Sequence, residues 1–145
     1  MFHNFIRGCL HGDEIKVLDG CDCDRIVKDN HLTGVNPPDF YIRTPDCCIL
    51  FEFKDTLLGA KIKDERDVEK LFNEIEKKFF KNSSGKPKGV VQLMLNAKAV
   101  QKGMFEFDDV HTDILIIPVL VVDNPTYVMK GMHTKMEYMM RDYCK

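Results

Sequence analysis

The sequence has no uninterrupted apolar segment of membrane-spanning length. Its opening run, Met1-Phe2-His3-Asn4-Phe5-Ile6-Arg7-Gly8-Cys9-Leu10, is broken too early by charge and glycine to act as a secretory leader. The expectation is a protein outside the membrane, in the cytoplasm. Charge of one sign is also lacking: the formal net charge of -2 gives no global drive towards nucleic acid, so any phosphate binding has to be local. Regular zinc-ligand spacing is missing. Of the six cysteines, Cys9, Cys21, Cys23, Cys47, Cys48 and Cys144, the Cys21-Asp22-Cys23 triplet is not a two-spacer hook, and Cys47 and Cys48 face opposite ways on a strand. Cys9 and His11 add no regular set. Adjacent pairs also make an extracellular disulfide framework unattractive, and buried reduced thiols are expected. There is no glycine-rich nucleotide loop and no serine nucleophile elbow, and His3, His11, His31, His111 and His133 are dispersed. Finally, no long linker divides the 145 residues, whose 44% hydrophobic and 30% charged composition suits one soluble globular domain.

What is present centres on Pro38-Asp39-Phe40-Tyr41-Ile42-Arg43-Thr44-Pro45-Asp46-Cys47-Cys48-Ile49-Leu50-Phe51-Glu52-Phe53-Lys54-Asp55. Two β-favouring runs, Phe40 to Arg43 and Cys47 to Phe53, flank the turn-forming Thr44-Pro45-Asp46, which predicts a hairpin. In the second run Ile49, Phe51 and Phe53 point one way, and Cys48, Leu50, Glu52 and Lys54 the other. Apolar character up to Leu50 implies burial on both faces, so Glu52 and Lys54 are expected at a solvent-accessible end or compensating one another. Asp39 on the preceding strand can approach them. Two carboxylates can hold a divalent cation, and an adjacent ammonium can orient a water and offset charge on a phosphate. The plainer alternative is an edge ion pair without chemistry.

This pattern resembles the signature of the PD-(D/E)xK, or restriction-endonuclease-like, phosphodiesterase superfamily, with Pro38-Asp39 matching its first half and Glu52-Phe53-Lys54 its second. The resemblance implies Mg2+, or Mn2+ in its place, held by Asp39 and Glu52 together with the backbone carbonyl of Phe53. Lys54 would lie next to the attacking water. It also implies a glutamine or basic residue on a later helix near the site, for which Gln92, and after it Lys98, are the matching positions. Members commonly begin with a helix that supplies a carboxylate. Here Asp13-Glu14 matches poorly, so a reduced first element or a domain fragment is expected.

Elsewhere, residues 14 to 28 read as an opening strand or hairpin: Ile15, Val17 and Leu18, a turn at Asp19-Gly20, and a return through Arg25-Ile26-Val27. Asp22 and Asp24 fall in that turn-rich stretch as surface or cap residues. Lys28 to Pro38 reads as a loop. Val68, Leu71, Phe72, Ile75 and Phe79 predict a helix over 64 to 81, favoured by Asp64-Glu65 at its start and Lys77-Lys78 near its end. After the break at Asn82 to Pro87, a second helix is expected over about 88 to 101. Asp113 to Val122 reads as a buried strand in which Pro118 marks an irregularity or an edge. A terminal helix over 132 to 143 carries Met132, Met136, Met139, Met140 and Tyr143 as a packing stripe.

The order of elements predicts a compact α/β domain with a mixed central sheet and flanking helices, restriction-endonuclease-like where the resemblance applies. Lys77, Lys78, Lys81, Lys86 and Lys88 form a local basic patch, either a solvated surface or a nucleic-acid contact. Phe79-Phe80 could stack on a base only if one ring is exposed. The expected activity is metal-dependent hydrolysis of nucleic acid, DNA ahead of RNA. The second reading is a catalytically inactive binding or assembly module, with a homodimer expected alongside it.

Overall fold

The hairpin over residues 40–54 forms because Thr44 closes its turn from both sides. In the computed structural model the Thr44 N–H donates to the Cys47 carbonyl at 2.8 Å, and the Thr44 hydroxyl oxygen accepts from the Cys47 N–H at 3.1 Å. Thr44, Pro45 and Asp46 make the three-residue connection between strands β2 (Phe40–Arg43) and β3 (Cys47–Lys54). Their antiparallel register sets Phe40 opposite Phe51 and Tyr41 opposite Leu50. The structure describes residues 2–10, 14–29, 36–56, 67–103, 114–123, 127 and 131–143. His11, His31, His111, Cys144, Asp13 and Asp64-Glu65 therefore lie outside the described residues, as do most of the Lys28 to Pro38 loop and Asn124-Pro125.

Strand β1 (Lys16–Asp19) pairs antiparallel with β2, from Lys16 opposite Arg43 to Asp19 opposite Phe40. On the other side, β4 (Leu115–Val122) neighbours β3, giving the order β1-β2-β3-β4. The Leu115 N–H meets the Asp46 carbonyl at 3.3 Å and the Asp123 N–H meets the Lys54 carbonyl at 3.4 Å, so the two strands advance together and run parallel. The result is a mixed α/β fold with a central sheet flanked by helices. No described helix is long and apolar enough to cross a membrane.

The expected return strand at Arg25-Ile26-Val27 is instead part of a helix, α2 (Gly20–Asp29), preceded in the chain by α1 (Phe2–Cys9). The physical reason is a reciprocal cap. The Asp19 carboxylate accepts from the Asp22 N–H at 2.9 Å, and the Asp22 carboxylate accepts from the Asp19 N–H at 3.4 Å, so Asp19-Gly20 begins a helix rather than a turn. Asp22 and Asp24 thus sit on a helix. Cys23 is buried and Ile26 and Val27 are half-buried at helical spacing. The eight-residue α1 contains no carboxylate.

The chain gathers into two compact units, Met1–Glu52 with Leu93–Val119, and Phe53–Gln92 with Leu120–Lys145. In the first, Phe40, Tyr41, Ile42, Cys48 and Leu50 are buried along with Leu93, Ala99 and Val100 of a helix that runs Gly89–Gln101. In the second, Ile75, Phe79, Phe80, Val90, Val91, Tyr127 and Met132 are buried. Phe79 meets Tyr127 edge-on at 4.8 Å, and the Thr56 hydroxyl donates to the Tyr127 oxygen at 3.0 Å. Helix α3 (Val68–Phe79) starts at Asp67, whose carboxylate accepts from the Glu69 and Lys70 N–H groups at 3.1 Å each. Helix α4 is the Gly89–Gln101 segment, and α5 (Met132–Tyr143) closes the described chain.

Two burial expectations are corrected. Strand β3 is fully buried on one face only, at Cys48, Leu50 and Glu52, while Cys47, Ile49, Phe51 and Phe53 are half-buried. Strand β4 is not buried: Leu115 is 62% exposed, and Ile117 and Pro118 are exposed. Among the described strands β4 is the end of the sheet, where a proline without an N–H forfeits no ladder bond.

Candidate active site

The hairpin brings Asp39 and Glu52 to the same end of the sheet, by different means. Phe40 is paired with Phe51, and the Asp39 N–H also donates to the Phe51 carbonyl at 3.0 Å. Asp39 stands just before β2, and this bond ties its main chain to the residue that precedes Glu52. Asp39 is exposed while its neighbours Pro38 and Phe40 are buried.

Glu52 follows Phe51 on β3 and is only 2% exposed, sharing its face with Cys48 and Leu50. Of the two expected alternatives, a solvent-accessible position fails for Glu52 and compensation is left, because the cover over this face extends past Leu50. A carboxylate so far from water is costly unless charge or hydrogen bonds compensate it. Cations and polar hydrogens are what such a group holds.

Phe53 is half-buried with its ring on the opposite side from Glu52. Lys54, two positions on from Glu52, ends the strand half-buried, and its carbonyl takes the Asp123 N–H. Its Cε lies 3.3 Å from where a Cβ on Gly89 would stand. Gly89 opens α4 with φ at +22°, and that Cβ would also meet the Phe79 carbonyl oxygen at 3.3 Å and Leu120 at 3.4 Å. Only glycine allows the helix to start this close to the lysine stem. Gln92, half-buried, comes one helical turn after Gly89. Lys98 is exposed in the last turn.

The five lysines are less uniform than their spacing suggests. Lys77, Lys81 and Lys86 are exposed, whereas Lys78 and Lys88 are half-buried. The Lys77 ammonium bonds the Glu74 carboxylate at 3.0 Å, so part of its charge is already matched. The segment between α3 and α4 is built on Asn82, whose side-chain oxygen accepts from the Ser84 N–H at 3.1 Å, the Ser84 hydroxyl at 2.8 Å and the Lys86 N–H at 2.8 Å. Gly85 completes it at φ +77°. An open groove of about 440 Å³ is lined there by Glu76, Lys77, Lys81 and Asn82 among others. Phe79 and Phe80 are both 0% exposed, which removes either ring as a platform for a base.

Among the described residues, no group of three or more histidine, cysteine, aspartate or glutamate side chains could hold a metal ion. Asp39 and Glu52 are two carboxylates, so a cation held by both would need further oxygen ligands from main chain or water. The donor set is all oxygen, which suits Mg2+ or Mn2+ and not zinc.

No family model, curated protein or solved structure matches the chain. The site stands on its own geometry.

Sequence reasoning missed the capping pair and two glycines. Asp19 and Asp22, three residues apart, carried the signal for the helix start at Gly20. Nothing in the sequence marked Gly20 or Gly89 as a point of close approach. Asn96 was also missed: it is 2% exposed, and its side-chain nitrogen makes no hydrogen bond among the described residues.

Proposed function

We propose that the protein is a metal-dependent nuclease of restriction-endonuclease-like fold that hydrolyses nucleic-acid phosphodiester bonds, DNA in preference to RNA, in the cytoplasm. One observation carries the reading: β3 bears Glu52 and Lys54 two positions apart, and the residue before β2, Asp39, is bonded through its main chain to Phe51. Mg2+ or Mn2+, when bound, supplies Lewis acidity and lowers the pKa of water. Asp39 and Glu52, with the Phe53 carbonyl, hold that ion. Asp39 keeps an open side towards solvent, through which water and a phosphate can arrive. Lys54 orients the water and offsets negative charge as it develops on the phosphate. Gln92, one turn into α4, assists in positioning. Lys81 and Lys86, and more weakly Lys77, Lys78 and Lys88, hold the backbone of the nucleic acid without reading its bases.

The decisive experiment is cleavage of labelled single-stranded, duplex and branched DNA and RNA with Mg2+ or Mn2+, repeated with Lys54→Ala and Glu52→Gln. Each substitution is expected to lower the rate by about 10² or more, the usual cost of removing one electrostatic stabiliser. Activity unchanged by both rejects the site.

A second reading, a nuclease-like binding or assembly module without catalysis, is favoured by one feature: α1 contributes no carboxylate. It predicts a homodimer and no cleavage with any substrate. Solution mass across a concentration series tests it, and a monomer throughout counts against it.

A further inference from the structure

Asp39 is held from two sides. Towards β3, its N–H is bonded to the Phe51 carbonyl at 3.0 Å. Towards β1, the last pair of the ladder is Asp19 with Phe40, and the next residue, Gly20, lies against the Asp39 main chain. A Cβ on Gly20 would stand 3.2 Å from the Asp39 carbonyl oxygen, 3.7 Å from its Cα and 3.8 Å from its carbonyl carbon. These are backbone atoms, which cannot swing aside as the end of a side chain can. Gly20 is also the residue at which the reciprocal bonds of Asp19 and Asp22 turn β1 into α2. The start of α2 is thereby fixed at the point where it abuts Asp39.

We infer that Gly20 is a positioning residue for Asp39. By presenting no side chain it lets the β1–α2 junction seat the Asp39 peptide against Phe51, and so fixes the main chain from which the carboxylate projects. The inference rests on the nuclease reading for what Asp39 then does, namely bind the metal. It adds a residue to that site that touches neither metal nor substrate. Any side chain at position 20 displaces the Asp39 peptide by a few tenths of an ångström or more, and the carboxylate with it.

The test uses the full chain and two readouts. Calorimetric titration with Mn2+, and in parallel with Mg2+, compares the unaltered protein with Gly20→Ala, Asp39→Asn and, as a control, Gly8→Ala. Gly8 lies on α1, where an added Cβ meets nothing within 4 Å. Amide hydrogen exchange then follows the Asp39 N–H. Gly20→Ala is expected to melt cooperatively, to bind Mn2+ about tenfold more weakly or worse, the lower end of what removing a ligand's support costs, and to exchange the Asp39 amide faster. Gly8→Ala should bind as the unaltered chain does. Unchanged affinity in a folded Gly20→Ala protein overturns the positioning role and leaves the nuclease reading standing. An unaltered protein that binds no Mn2+ or Mg2+ overturns the nuclease reading, and with it the ligation role given to Asp39. If Gly20→Ala fails to fold, exchange in the unaltered protein decides: protection of the Asp39 amide on a par with Phe40 and Ile42 supports the clamp, and exchange at the rate of an open loop overturns it.

Discussion

The open end of the hairpin and the loop between α3 and α4 both display charged residues, but on different foundations. At the hairpin, main-chain bonds to Phe51 and the junction at Gly20 fix Asp39, and burial fixes Glu52. At the loop, the Asn82 side chain and main-chain bonds such as Asn82 N–H to the Lys86 carbonyl order the backbone, but the side chains of Lys81 and Lys86 are exposed and outside any core. A group held by backbone and core can keep a geometry that chemistry needs. Lysines on an exposed turn supply attraction without geometry, which is sufficient for phosphates.

The contrast can be broken most severely at its buried side. Leu50→Ala empties the fully buried face next to Glu52, and a loss of about 2–5 kcal/mol is expected for such a truncation. Urea unfolding measures it. Asn82→Ala removes an acceptor of three hydrogen bonds from an exposed turn, and should cost about 1 kcal/mol. A larger loss for Asn82→Ala than for Leu50→Ala would reverse the comparison.

For binding, the order turns round. Converting both Lys81 and Lys86 to glutamine should flatten the dependence of log affinity on log salt by about 0.7–0.9 for each phosphate no longer neutralised. Converting Lys77 alone should change it less, because Glu74 already takes part of its charge. Fluorescence titrations of labelled DNA at several salt concentrations distinguish the two.

The smallest effect under ordinary conditions is at Cys23. Burial, and after it the charges of Asp22, Asp19 and Asp24, push its thiol from 9.0 up to about 12. The folded chain therefore holds this proton more tightly than the unfolded chain does, so the contribution to stability is complete below pH 9 and is lost as pH rises from 9 towards 12. Denaturation midpoints on either side of pH 9 should show the decline, and Cys23→Ala should reduce it. At about pH 8, just below the ordinary thiol range, an alkylating reagent should label the exposed Cys9 and Cys21 and spare Cys23.

Much of this was legible where local chemistry and packing agree. The Thr44-Pro45-Asp46 turn, the α4 segment and the Met132–Tyr143 helix form where turn residues and apolar spacing put them. The stretch after Leu18 misleads because Asp-Gly is a turn signal, and only the second aspartate three residues on turns it into a helix cap. The burial of Glu52 was illegible for another reason. Alternation says which face a residue occupies, not how far a neighbouring element covers that face. The approach of Gly20 to Asp39 and of Gly89 to Lys54 joins residues distant in the chain, and a glycine's missing side chain leaves no pattern to read.

The parallel pairing of β4 with β3 sets an order of events in folding. A three-residue connection joins β2 to β3, so that ladder closes at little entropic cost. The Lys54–Asp123 and Asp46–Leu115 bonds close a loop containing both α3 and α4, and non-local pairings of this kind are slow to form. Main-chain protection is therefore expected at Ile42 and Ile49, which face each other across the hairpin, before Val119 and Val121. At the open end of the hairpin, the Asp39–Phe51 bond should be in place while the Lys54 carbonyl beside it still waits for Asp123.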